Sequence, residues 1–243
     1  MNSFFPKKIF RVGVDFDLTM VDSLWPWIQW FNLHLNRMNS YARNYKLDGF
    51  ELITKECYLA FSGEQLADLM NERQKALEPS LQQDPMAYWR QHDLYDKMLP
   101  LKGAREFFTA LQKRMMTYHG FMDVEFVCVT KCEPEHELSK RRFVLTHFSD
   151  LFNGFVSTDD KHLVSMDCLI DDNPKYVKPC NENGIFQIYV PQGQVKEFTH
   201  VDDFCEEYFT VAPSAEFENH FGYLNQQVDA IADMLGRHYN YIR

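Results

Sequence analysis

The sequence predicts an α/β protein built on an open parallel sheet flanked by helices, with a helical subdomain inserted into it. Three apolar, β-rich runs each end directly in polar residues: Ile9 to Val14 in Asp15, Val124 to Val129 in Thr130, and Cys168 to Ile170 in Asp171-Asp172. Helix-patterned segments alternate with the later runs, whereas residues from about 22 to 98 carry consecutive helical patterns with no strand among them. In open parallel sheets ligands bind outside the carboxyl ends of the strands. The polar residues at those ends are therefore the first candidates for chemistry.

Taken in order, the first strand is followed by four helical patterns, Leu24 to Arg37, Phe50 to Phe61, Glu64 to Leu77 and Pro85 to Tyr95. Gly103 to Met116 and Pro134 to Phe148 alternate with strands, the second opening with Pro and Glu, residues suited to a helix start. Phe155-Val156-Ser157 and Ile185 to Val190 are predicted strands, the latter stopped by Pro191, which makes about five parallel strands. Phe217 to Tyr239 reads as a helix that either covers the core or mediates a homodimer. The expected division is a core of residues 1–21 and 99–243 with an insert of residues 22–98.

The chain has 243 residues, 45% hydrophobic and 25% charged, a globular balance that excludes disorder and fibrous repeats. A net charge of −10 disfavours a nucleic-acid polymer as partner, because binding a phosphate backbone needs clustered Lys and Arg. A small anion remains compatible with a local site. Six cysteines without a CxxC pair or metal-ligand spacing are expected to be reduced thiols, mostly buried, of a cytoplasmic protein. The N-terminal residues lack a secretion signal, and no apolar run reaches the roughly 20 residues of a membrane span. The nine histidines show no triad or ligand spacing.

Asp15-Phe16-Asp17-Leu18-Thr19 puts two carboxylates two residues apart at a strand end. Such close anions repel unless a cation is shared or one is protonated. Mg²⁺ suits the position, since it takes one or two carboxylates and completes its octahedron with water and substrate oxygen. Adjacent strands would bring Asp171-Asp172 beside this pair, although Asp, Asn and Pro also build ordinary turns. Thr130 and the backbone N–H groups after it can face an anion at the sheet's edge. Lys161, ten residues before Asp171, supplies a positive charge at the approach to the same strand end.

In this order the DFDLT motif, a strand-terminal Thr, a Lys and a strand-terminal acidic pair resemble the haloacid dehalogenase (HAD) superfamily, over residues 8–20 and 100–191. The resemblance implies a Rossmann-like core, with residues 22–98 as a cap over the site. A receiver domain also combines an acidic pair, Thr and Lys, but in a shorter chain with no acidic pair after the lysine. The resemblance further implies that Asp15 is a nucleophile forming an aspartyl-phosphate and that Asp17 is the general acid and base. Thr130 and Lys161 would hold phosphoryl oxygens. Mg²⁺ would be bound by Asp15, the Asp17 carbonyl and the Asp171-Asp172 pair, with Asp172 favoured for direct contact. Relatives that cleave carbon–halogen bonds lack an acid at the position of Asp17, so phosphate chemistry is implied.

Lys161 to Asp172, KHLVSMDCLIDD, looks like the corresponding segment of the 5'(3')-deoxyribonucleotidases. Those relatives stack a nucleobase on cap aromatics, which makes Trp25, Trp30 and Trp89 candidates for substrate contact, though tryptophans at helical spacing also build cores. Lys131 stands where nucleotidases carry a small residue, and is a further substrate candidate. Leu18 stands where many members have Gly. The expected substrate is a small phosphate ester, first a deoxynucleoside or nucleoside monophosphate. Alternatives are a sugar phosphate or phosphoglycolate, or a nucleotide-binding protein without catalysis.

Overall fold

The computed structural model describes residues 9–44, 48–121, 123–190, 208–210 and 219–242. Among the described residues six strands form one parallel sheet: β1 (Ile9–Val14), β2 (Asp123–Thr130), β3 (Phe152–Ser157), β4 (Cys168–Asp171), β5 (Phe186–Tyr189) and β6 (Tyr208–Thr210). Their order is β3-β2-β1-β4-β5-β6. Chain direction from β1 runs one way through β2 and β3 and the other way through β4 to β6. The switch point lies between β1 and β4, where the sheet leaves a crevice at its carboxyl edge. The sixth strand was not expected from sequence, because Tyr208–Thr210 is only three residues long and is defined by its pairing with Gln187–Tyr189.

The central strands are buried on both faces, with Phe10, Val12, Val14, Phe126, Cys128 and Ile170 fully enclosed, which explains their near-continuous apolar runs. Gly13 is required by close packing, since a Cβ there would collide with the Met166 sulfur. Flanking the sheet are α4 (Ala104–His119), α5 (Pro134–Phe148), α6 (Val177–Glu182), α7 (His220–Gln226) and α8 (Val228–Ile242). Phe108 of α4 is a hub, its ring meeting Phe126, Phe148, Phe152 and Phe221 at 5.1–5.8 Å. The C-terminal helix of the sequence reading is two helices broken at Gln227, and α8 packs against α4 of its own chain. The cysteines of the described residues, Cys57, Cys128, Cys132, Cys168 and Cys180, are free, three of them buried; Cys205 lies outside the described residues, as do residues 1–8.

Between β1 and α4 lie α1 (Leu24–Asn44), α2 (Lys55–Ala60), α3 (Gly63–Gln74) and three short 3-10 turns, Pro79–Leu81, Pro85–Arg90 and Leu94–Lys97. Two sequence expectations fail here. Residues 50–54 are outside any helix, because Asn32 and Asn39 of α1 each bond both the N–H and the C=O of Ile53 and Phe50, respectively. Those groups are then not free for a helical ladder. Pro85 to Tyr95 is two 3-10 turns rather than one α-helix, and the Pro85 carbonyl is taken by Trp27 Nε1 at 2.8 Å. The α3 helix starts at a reciprocal capping box between Ser62 and Gln65. The turn Leu94–Lys97 packs chiefly on α5 rather than on α1 to α3.

Candidate active site

The β1–β4 register sets the site. Val14 pairs with Ile170, and the Asp15 N–H donates to the Ile170 carbonyl at 2.9 Å, so Asp15 and Asp171 leave the sheet side by side at the switch point. Asp15, Asp171 and Asp172 each offer a carboxylate oxygen within 4.8 Å of the others. Lys161 reaches in from a 3-10 turn before β4, its Nζ 2.7 Å from both Asp15 and Asp171. All but Asp172 are buried, Asp172 being half-buried.

The electrostatics of this cluster follow from three carboxylates and one ammonium in little water. Burial, and then the Asp15 charge, push Asp171 up to about 7. Burial and the charges of Asp15 and Asp171 push Asp172 well above the carboxylate range. Burial works against the Lys161 ammonium, but the two carboxylates outweigh it and raise its pKa. Hard oxygen donors that repel one another at this spacing fit a divalent cation such as Mg²⁺.

Asp17 is placed apart from this cluster. Lys140 Nζ donates to its Oδ2 at 2.5 Å, Tyr95 Oη donates to its Oδ1 at 2.8 Å, and the buried Ser23 hydroxyl also bonds it. Burial alone would raise the Asp17 pKa, but the Lys140 charge and these hydrogen bonds outweigh it and lower it. The turn that aims Asp17 away is held by Leu18 N–H to Val21 C=O and Met20 N–H to Phe16 C=O bonds. It requires φ of +58° at Leu18, a left-handed conformation that costs a side-chain-bearing residue about 1–2 kcal/mol and suits Gly.

Thr130 ends β2, is buried, and receives Lys140 Nζ at 3.4 Å. Lys140, on α5, thus stands between Asp17 and Thr130, and it was missed in the sequence. It is 2% exposed, and its Nζ lies 5.1 and 4.9 Å from the Phe16 and Tyr95 ring centroids. The one signal available was its position in Lys140-Arg141-Arg142, where a helix can turn at most part of a basic run to solvent. Lys131 points elsewhere, to Asp159 at 3.4 Å, with its side chain exposed. Asp159 also accepts from Lys175 and Tyr176, and these donors hold its carboxyl at about 2.

The tryptophans separate. Trp30 packs on Tyr88 at 5.6 Å and Trp89 on Trp27 and Tyr88 at 5.5 and 5.3 Å, an aromatic cluster within the inserted segment. Trp25 lines a cavity of about 360 Å³ with Asp22, Tyr88, Leu94, Met98 and Leu101. All three are half-buried.

Comparison with known proteins decides the family. The model of the 5' nucleotidase, deoxy (pyrimidine), cytosolic type C protein family matches residues 50–213. The chain belongs to this family. It is a phosphatase, a phosphoric monoester hydrolase with the HAD fold. The match takes in Thr130, Lys140, Lys161 and the Asp171-Asp172 pair, while Asp15 and Asp17 precede it and join them through the β1–β4 register. Among solved structures, a HAD family hydrolase from Deinococcus radiodurans R1 with bound phosphate and sodium is similar at 13% identity, TM-score 0.56, over 94% of this chain and 98% of that one. A putative phosphoglycolate phosphatase from Lactobacillus delbrueckii subsp. bulgaricus is similar at 10% identity, TM-score 0.50, over 91% and 98%. At these identities the likeness is one of fold. No curated protein matches the sequence. No helix among the described residues is long and apolar enough to cross a membrane, and the family description says cytosolic.

Proposed function

We propose that this nucleotidase-family chain hydrolyses nucleoside monophosphates, deoxynucleotides first, through an aspartyl-phosphate on Asp15 with Mg²⁺ bound by Asp15, Asp171 and Asp172. The observation that carries this reading is the division of the two DFDLT carboxylates. Asp15 belongs to a cluster of three carboxylates and a lysine, whereas Asp17 accepts from a separate set of hydrogen-bond donors. One carboxylate is set to attack and the other to handle protons.

Bound Mg²⁺ would supply neutralising charge to the phosphoryl group. The remaining work falls to the chain. An Asp15 oxygen forms a bond to phosphorus as the bond to the leaving oxygen breaks, and the proton carried by Asp17 goes to that oxygen. Asp17 then takes a proton from the water that cleaves the aspartyl-phosphate. Without substrate Asp17 is held as a carboxylate by Lys140, which suits the second half of this cycle. Lys140 also lies 3.4 Å from Thr130 Oγ1. Transfer of the ammonium to a phosphoryl oxygen beside Thr130 releases Asp17 to carry a proton for the first half. Lys161 neutralises Asp15 and Asp171 and joins the phosphoryl oxygens, where transition-state charge lies.

Residues 22–98 would act as the cap over this site, excluding water. Trp25, on the cavity beside Asp22, has open space in front of it, and is the best-supported of the three tryptophans as a nucleobase contact. Trp30 and Trp89 would support it through Tyr88.

A panel of phosphate monoesters, assayed with Mg²⁺ and with chelator, tests the reading. Deoxynucleoside and nucleoside monophosphates are expected to be cleaved, and only with the metal. Cleavage confined to sugar phosphates or phosphoglycolate would refute the substrate class.

A further inference from the structure

We propose that Tyr95 is a positioning residue for the proton-handling carboxylate Asp17, and that the Asp96–Arg142 ion pair braces it; the inference rests on the role of Asp17 proposed above. Tyr95 lies inside the segment expected to be a movable cap. Its turn, Leu94–Lys97, is nevertheless fastened to α5. Arg142 of α5 grips Asp96 with two bonds, Nε to Oδ1 at 3.0 Å and a terminal nitrogen to Oδ2 at 2.6 Å. This fork geometry fixes orientation as well as distance.

The Tyr95 ring is 2% exposed and enclosed by aromatic neighbours, edge-on to Phe16 at 5.1 Å and to His136 at 5.5 Å. Lys140 Nζ lies 4.9 Å from its centroid. A ring so enclosed has one place to put its hydroxyl, and that place is Asp17 Oδ1. Lys140 holds the other oxygen. Donors on both oxygens, with the Ser23 hydroxyl as a third, stop the carboxylate from rotating about its Cβ–Cγ bond. The Lys140 and Tyr95 donors come from one unit, since Lys140 and Arg142 are on α5 and Tyr95 rides on the turn that Arg142 secures.

The two donors differ in what substrate can do to them. An ammonium beside Thr130 is drawn toward an arriving phosphoryl group, whereas a neutral phenol in an aromatic enclosure is not. When Lys140 turns to the phosphate, Tyr95, with the Ser23 hydroxyl, keeps Asp17 aimed at the leaving oxygen. Misplacing a reacting group by about 1 Å can cost on the order of 100-fold in rate, so aim is a measurable quantity.

The test uses Tyr95→Phe, which removes the hydroxyl and keeps the ring, and Arg142→Met, at a pair whose side chains are 52% and 31% exposed and whose loss costs little stability. Phosphoryl transfer to Asp15 is followed in a single turnover with two esters, a deoxynucleoside monophosphate and 4-nitrophenyl phosphate. The alkoxide of the first needs the proton from Asp17; the nitrophenolate of the second departs without it. Tyr95→Phe is expected to slow transfer from the nucleotide about 10-fold, with KM changed by less than about 2-fold, and to leave transfer from the nitrophenyl ester within about 2-fold. Arg142→Met should give the same pattern, more weakly. Equal slowing with both esters, or no slowing with either, overturns the proposal. Asp17→Asn separates the two levels of the argument: if it transfers from the nucleotide at the wild-type rate, Asp17 is not the acid and the reading of the site fails with it.

Discussion

Lys140 carries an unusual burden for a helical lysine. A buried ammonium is tolerable only when paired, and this one balances Asp17 while lying against two aromatic faces, whose quadrupoles attract a cation. Lys140→Met keeps the stem's packing and removes the charge. The expected loss is about 100- to 1,000-fold in kcat, the usual effect of deleting one donor to a developing anion, measured by steady-state turnover with circular dichroism as the control for folding. Turnover within a few-fold of wild type would mean that Lys140 only fills space. Lys131, by contrast, is engaged with Asp159 at the surface, so its departure from the small residue of other nucleotidases does not by itself remake the phosphate subsite. Leu18 makes the opposite point. Its left-handed backbone is strained, yet the hydrogen bonds from Leu18 to Val21 and Met20 to Phe16 hold the turn that sends Asp15 and Asp17 in different directions.

At the level of elements, α7, the first of the two described helices after β6, reaches back to the loop that follows β1. His220, its first residue, puts Nε2 2.9 Å from the Thr19 carbonyl, and since a carbonyl can only accept, that nitrogen carries the proton. Burial pushes the ring's pKa down to about 4. An unfolded chain binds a proton on this histidine below about pH 6.5 that the folded chain refuses until about pH 4, so its contribution to stability is present above the window and is lost as pH falls through it. The full loss approaches about 3 kcal/mol. His220→Gln keeps an N–H donor and cannot titrate. Urea melts of both proteins are expected to show the variant gaining on wild type as pH falls from about 6.5 to 4; a constant difference would contradict the assignment. Elements also show what sequence can and cannot tell. Strands β1, β2 and β4 are legible because apolar runs buried on both faces end in polar residues, and the residues at those ends follow by register. The non-helical segment 50–54 and the paired 3-10 turns are not, because Asn32, Asn39 and Trp27 compete for their backbone groups from α1. Tyr95 and Lys140 are hidden for a related reason: their roles depend on how a turn docks on α5, and no local pattern encodes that contact.

For the whole molecule, the doubly wound topology concentrates negative charge at one crevice of a chain already at −10. Metal binding should therefore answer to pH. In the metal-free protein Asp171, pushed up to about 7, keeps a proton that the unfolded chain has already lost above about pH 4, so stability falls as pH rises through that window. Mg²⁺ held as proposed would bind the deprotonated carboxylates and remove this penalty. Saturating Mg²⁺ should raise the melting temperature more at about pH 8 than at about pH 5, and an equal rise at both would place the metal elsewhere. The HAD fold supports many chemistries through its strand ends and its insertions, so the family and the site must be argued separately, and the site turns on Asp15. The most direct measurement is the turnover of Asp15→Asn on a deoxynucleoside monophosphate with Mg²⁺, its folding checked by circular dichroism. A nucleophile cannot be replaced by an amide, so turnover should fall by at least about 10,000-fold with the fold intact. Turnover within about 10-fold of wild type would contradict the covalent route.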